Sequence, residues 1–210
     1  MTFRVSYRWM PALLMLGLLA SGAAVKAADV GAPSPSLPIQ SLFQPEPLAK
    51  RSYGFDVRLG GFAHAVGSAE ANTFDASLQV VLPKFLADNY GWWNFLNPHT
   101  YVGGMFNTGG RTSSVRAGLL WQIPFTERFF GEIFFGGAYH DGSKAGDATH
   151  NALGSRALFN VGGSIGYRFT PQWSVLVTFD HLSNGKEVFG TGFDRNVGIN
   201  NYGAQVSYAF

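Results

Sequence analysis

From residue 53 to the last residue, apolar and polar positions alternate in short runs separated by turns. This pattern limits the fold more than any other feature of the chain. Successive side chains of an extended strand point to opposite faces, so period-2 alternation gives each strand one apolar and one polar side. Tyr53, Phe55, Val57 and Leu59 share one side, and Asp56 and Arg58 the other. Phe74, Ala76, Leu78, Val80 and Leu82 stand opposite Asp75, Ser77 and Gln79. Val115, Ala117, Leu119, Trp121 and Ile123 stand opposite Ser114, Arg116 and Gln122. The segments around Ala157–Phe169, Trp173–Phe179 and Tyr202–Phe210 repeat the scheme, with Asn160, Arg168, Thr178, Asp180 and Gln205 on the polar side. The runs 99–107 and 129–140 are less regular and are placed by length and spacing. Together these make eight strands.

No run beyond the N-terminal segment approaches the roughly 20 apolar residues of a spanning helix. The mean hydropathy is only +0.05, because alternation hides the apolar residues. Charged residues make up 13% and aromatics 15%, with 27 glycines, a composition suited to curved strands facing hydrocarbon. The chain is therefore read as all-β, an eight-stranded antiparallel transmembrane β-barrel over residues 52–210. A lipocalin-like barrel would turn its apolar face inward. Here lipid outside and a polar interior explain both faces, with Asp56, Arg58, Asp75, Arg116, Glu132, Arg168 and Asp180 neutralising one another within. A barrel of this size is filled by side chains, which argues against a porin channel.

The connections agree. Turns at 124–128 and 170–172 fall on the periplasmic side, and longer loops at 66–72, 141–155 and 184–199 fall outside, the expected asymmetry. The connection 84–98 is long for an inner one. Its Trp92, Trp93 and Phe95 suit an interfacial belt or a short helix. Residues 1–27 read as a signal peptide: Arg4 and Arg8, an apolar core from Met10 to Ala20, then Val25-Lys26-Ala27 as cleavage site. Residues 28–51 form a Pro-rich periplasmic leader. Without Arg4, Arg8 and Lys26, the fifteen basic residues become twelve against thirteen acids, so no nucleic-acid partner is indicated. The absence of cysteine removes disulfides, thiolate metal sites and thiol nucleophiles.

One constellation carries chemistry. In Phe179-Asp180-His181-Leu182-Ser183-Asn184-Gly185, His181 and Ser183 are two apart and share the parity of the lipid-facing residues. A polar pair on that wall is either above the bilayer and harmless, or a general base placed beside a nucleophile. Asn200, on the neighbouring strand, also points outward, and its amide oxygen could fix the imidazole tautomer. Asn184 could contribute to an oxyanion hole, although Asn-Gly is equally a turn signal. Asp180 has inward parity and belongs to the interior. His64, His140 and His150 have no ligand-like spacing and read as surface residues. No metal or other cofactor is expected.

At these residues the chain resembles the lipid A 3-O-deacylase (PagL) family, the acyloxyacyl hydrolase type of outer-membrane barrel. The likeness spans roughly 52–210, and its specific part is 179–210: His181-Leu182-Ser183-Asn184, then Asn196-Val197-Gly198-Ile199 and a closing aromatic strand. The resemblance implies an outer-membrane esterase of a Gram-negative bacterium that removes the 3-linked hydroxyacyl chain of lipid A. It assigns His181 and Ser183 as the catalytic pair and Asn184 to the oxyanion hole. The family's triad acid falls at Asn200, a departure that leaves Glu187 and Asp194 as alternative carboxylates. The family's oxyanion-hole Gly falls at Lys186, with Gly185 one position early. The implied partners are lipid A (lipopolysaccharide) in the outer leaflet and the outer-membrane assembly machinery through the C-terminal strand. A homodimer is compatible with such a barrel. Lys186, Arg195 and Arg156 are candidates for attracting phosphates. Two other readings stand beside this one: a non-catalytic barrel whose triad has decayed, and an outer-membrane phospholipase, an enzyme type that uses a Ser-His-Asn set.

Overall fold

The alternating runs become strands that close on themselves. In the computed structural model, which describes residues 54–84, 97–190, 192 and 195–210, these are β1 (Asp56–Ala63), β2 (Phe74–Val81), β3 (His99–Asn107), β4 (Ser114–Pro124), β5 (Phe129–His140), β6 (Ala157–Arg168), β7 (Trp173–Ser183) and β8 (Ile199–Ala209). Each pairs antiparallel with the next in chain order, and β8 returns to β1 with Asp56 opposite Ala209 and Ala63 opposite Tyr202. Closure leaves no sheet edge, so every strand satisfies its backbone groups within the sheet, as hydrocarbon requires. The signal peptide, the Pro-rich leader and the aromatics Trp92, Trp93 and Phe95 lie outside the described residues.

The two faces differ as the alternation demands. Outward-facing Leu59, Phe74 and Val177 are each more than 60% exposed, an arrangement suited only to lipid. Inward, the charges are paired. Arg58 donates two parallel bonds of 2.8 Å to the Glu132 carboxylate, and Asp56 lies 3.5 Å away. Arg116 binds Asp180, which also accepts from Asn160 Nδ2. Tyr101 donates to Asn160 Oδ1 at 2.7 Å, and Gln122 bridges Arg168 and Glu132. Removing such charges from water is tolerable only with partners of this quality. The interior is mixed: Val81, Tyr101, Leu120 and Phe134 form a buried apolar cluster among these paired charges, so it differs from the purely apolar interior of a lipocalin-like barrel.

The outer end is closed differently. Ala65, Ala138, Leu153, Leu158, Leu182 and Ile199 form a buried apolar cluster that packs Ala65 of the 64–73 loop and Leu153 of the 141–156 loop against the strand ends. The segment read as a plain loop contains one short helical turn, α1 (Lys186–Phe189), flanked by Gly185 and Gly190 at φ 74° and 59°. Its four residues are too few for any periodicity to reveal. Leu182 of β7 and Ile199 of β8 are opposite partners and both belong to this cluster. The tops of the last two strands are thereby held from inside.

Candidate active site

With Leu182 and Ile199 turned inward, the adjacent residues must turn out. His181 and Asn200 are opposite partners across β7 and β8, and His181 Nδ1 lies 2.7 Å from Asn200 Oδ1. With that oxygen as acceptor, the imidazole carries its proton on Nδ1 and leaves the Nε2 lone pair free, the tautomer a general base needs. Ser183 follows two residues later on the same face, beside Phe159 of β6. His181, Ser183 and Asn200 are all half-buried. Among the described residues, the Ser183 hydroxyl has no hydrogen-bond partner. The strands therefore join His181 to Asn200 directly and place Ser183 next along the same wall, without a serine–imidazole bond in this state.

The other candidates separate. Glu187 is exposed on α1, and the position facing His181 Nδ1 is held by Asn200. Asp194 lies outside the described residues. Asp180 is buried against Arg116 and belongs to the interior. Asn184 is buried, and its Nδ2 donates to the carbonyls of Leu153 (3.0 Å) and Arg195 (2.6 Å). Its oxygen accepts from the Lys186 N–H and its own N–H donates to Asn196 Oδ1. Asn184 is thus a clamp between the last two outer loops. Arg195 holds the carbonyl of Ala145, and Arg156 those of Gly142 and His140. Both pull in the 141–156 loop.

Two histidines read as surface residues are buried instead. His140 donates from Nε2 to the Ser155 carbonyl at 2.7 Å. His64 is 2% exposed and lies between two carboxylates, with Nδ1 2.8 Å from Asp75 and Nε2 3.0 Å from Glu70. Burial alone would lower the His64 pKa, but its hydrogen bonds to Asp75 and Glu70 outweigh burial and raise it to about 9. Burial alone would raise that of Glu70, but His64, Thr112 and Asn151 bring it down to about 2. Glu70 and Asp75 lie only 6 and 11 residues from His64, but Thr112 and Asn151, which close the cluster around Glu70, come from loops 42 and 81 residues away, which local spacing does not reveal. His150 is the exception, half-exposed beside Asp147.

The sequence matches the model of the family described as lipid A 3-O-deacylase (PagL) over residues 73–209, a stretch that includes His181, Ser183 and Asn200. No curated protein matches at a significant level. The crystal structure of the outer membrane enzyme PagL is similar with a TM-score of 0.55 and 20% identity, covering 74% of this chain and 99% of that one. At that identity the likeness bears on the fold. The N-terminal β-barrel domain of Pseudomonas aeruginosa OprF follows with a TM-score of 0.49 and 11% identity, covering 76% of this chain and 98% of that one.

Proposed function

The chain belongs to the lipid A 3-O-deacylase family of outer-membrane β-barrels, and from that premise we propose that it hydrolyses the 3-linked hydroxyacyl ester of lipid A with Ser183 as nucleophile and His181 as general base. The observation that carries this reading is the 2.7 Å contact of His181 Nδ1 with Asn200 Oδ1 on the outer wall, which orients the imidazole with its basic nitrogen free. Such a pair gains reach for its substrate by lying there. The acyl chain stays in the bilayer while the ester bond lies at the head-group boundary.

In the proposed reaction, substrate binding brings the Ser183 hydroxyl to His181 Nε2. Ser183 Oγ attacks the ester carbonyl as its proton passes to Nε2. The tetrahedral intermediate collapses, breaking the bond to the sugar oxygen, which leaves with the proton from His181. Water, deprotonated by His181, then attacks the acyl-serine, and Ser183 recovers its proton as the fatty acid departs. The developing oxyanion needs donors worth a few kcal/mol each. Asn184 serves this role only by exchanging one of its two carbonyl partners for the substrate oxygen. Asn200 keeps the tautomer but, being neutral, gives the imidazolium less support than a carboxylate.

Mass spectrometry of lipid A from cells producing the chain tests this. Loss of one hydroxyacyl group is expected with the intact sequence and not with Ser183→Ala or His181→Ala. Unchanged lipid A with lysophospholipid release would transfer the site to a phospholipase reaction. Unchanged lipids altogether would leave a non-catalytic barrel.

A further inference from the structure

The wall that carries His181 is backed by the outer loops. Gly198, just before β8, has φ 69° and lies against the imidazole. A Cβ built there would stand 3.2 Å from His181 Cε1 and 3.0 Å from the Leu182 carbonyl oxygen. The backbone at 198 thus sets how far the ring lies from the sheet, and only glycine meets both the positive φ and the close approach.

What holds Gly198 is a side chain from the 141–156 loop. Asn151 is 1% exposed, and its Nδ2 donates to the Gly198 carbonyl at 2.8 Å and to Ser68 Oγ at 3.0 Å. Its backbone N–H donates to Glu70 Oε1 at 2.8 Å. The same carboxylate accepts from the Thr112 N–H and hydroxyl and meets His64. Two backbone bonds run in parallel: Val197 N–H to the Ala152 carbonyl at 3.1 Å, and Val66 N–H to the Asn200 carbonyl at 2.8 Å. The residues on either side of the imidazole, Gly198 and Asn200, are therefore each tied to a loop outside the barrel.

We propose that Asn151 is a positioning residue for the deacylation, its carboxamide fixing Gly198 and through it the His181 imidazole between Asn200 and Ser183. The inference rests on the assignment of His181 and Ser183 above. Asn151 is buried behind the wall, so its loss is expected to act on the chemical step and not on binding. A misplacement of a reacting group by about 1 Å lowers a rate by about 10²-fold.

The test uses the full chain, purified and refolded in detergent, acting on lipid A in mixed micelles. Retention of the barrel is followed by heat-dependent gel mobility. In Asn151→Ala both Nδ2 bonds vanish, and in Asn151→Asp a carboxylate oxygen opposes the Gly198 carbonyl. Both are expected to lower kcat by about tenfold or more with KM within about twofold. Ser68→Ala removes the other partner of Nδ2 together with the Ser68 bonds to the Ala65 carbonyl and the Glu70 N–H, but it leaves the Asn151–Gly198 contact in place and is expected to stay within about twofold of the parent. Gly198→Ala should resemble Asn151→Ala, and the double variant should lose little beyond either single one, because both act through one contact. A folded Asn151→Ala with parental kcat, or losses that simply add, would overturn the proposal. If neither Asn151 variant folds, Gly198→Ala decides it, since unchanged kcat there removes the route from Asn151 to the ring. Deacylation surviving Ser183→Ala would instead overturn the assignment beneath it, an outcome distinct from an inert Ser183→Ala beside a fully active Asn151→Ala.

Discussion

Asn200 shares with a carboxylate the one property that selects the tautomer, an oxygen acceptor facing His181 Nδ1, and lacks the charge that supports the imidazolium. Replacing an Asp by Asn in a serine-protease triad lowers the rate by about 10⁴, chiefly through the wrong tautomer. With the amide oxygen already facing Nδ1, Asn200 avoids that penalty. Asn200→Leu is therefore expected to slow lipid A deacylation by about 10²-fold or more, while Asn200→Asp, which keeps an acceptor, should match or exceed the parent. The time course of hydroxyacyl release checks both, and an unaffected Asn200→Leu would remove Asn200 from the site. The shared outward placement of His181, Ser183 and Asn200 was legible because strand parity is a local property, and each follows from counting by twos. Asn151 and Gly198 were not legible as a pair. The contact joins a loop to a strand end across 47 residues, and nothing in either neighbourhood announces it.

Among the elements, the strands and the positions of their connections were legible and the conformations of the outer loops were not, for one physical reason. A strand's burial pattern follows from its own sequence, whereas a loop's conformation depends on which distant groups accept its hydrogen bonds. The first strand shows both sides of this: the inward placement of Asp56 and Arg58 follows from alternation, but β1 extends through Gly60 and Gly61 to Ala63 because β2 and β8 pair with it there. The same inward parity brings Arg58 of β1 to Glu132 of β5 across the barrel interior. Removing one member of a buried pair leaves the other charge stranded, at about 3–5 kcal/mol, whereas replacing both by apolar groups of similar volume is often neutral. Glu132→Ala should therefore unfold the barrel at a markedly lower temperature in detergent. The double variant Arg58→Leu/Glu132→Leu removes the stranded arginine but also takes from Asp56 its partner at 3.5 Å, so it should recover part of that loss. Equal destabilisation by the single and double changes would show that the pair itself, and not the stranded charge, dominates.

At the scale of the whole molecule, the lipid-spanning wall and the outer cap respond to different conditions, because the cap is held by groups that titrate. The His64 imidazolium donates to Asp75 and Glu70 at once. A neutral imidazole has one N–H and would turn a lone pair toward one of two carboxylates. The folded cap keeps the His64 proton up to about pH 9, whereas a free imidazole releases it near about 6.5. Between these values the folded state binds more protons than the unfolded one, so the contribution of His64 is complete below about 6.5 and lost as pH rises through about 9. Glu70 acts in the opposite sense. It stays ionised in the folded cap down to about 2 against about 4.3 when free, so its contribution is complete above about 4.3 and lost as pH falls through about 2. The cap should therefore be tightest between about pH 4.3 and 6.5 and open on the alkaline side first under physiological excursions. Proteolysis of the outer loops in the detergent-solubilised barrel reads this directly. Cleavage within 64–73 and 141–156 should accelerate from pH 7 to 9.5 relative to the intrinsic rate of the protease on an unfolded peptide. His64→Gln should cleave faster at pH 6 and lose that alkaline acceleration. An alkaline rise of the same steepness in His64→Gln would mean that another group controls the cap. Because Glu70 also holds the Asn151 N–H, an opened cap releases the support behind Gly198. A fall in kcat that tracks loop cleavage along the same pH axis, in the parent and not in His64→Gln, is the outcome that joins the two layers of the molecule.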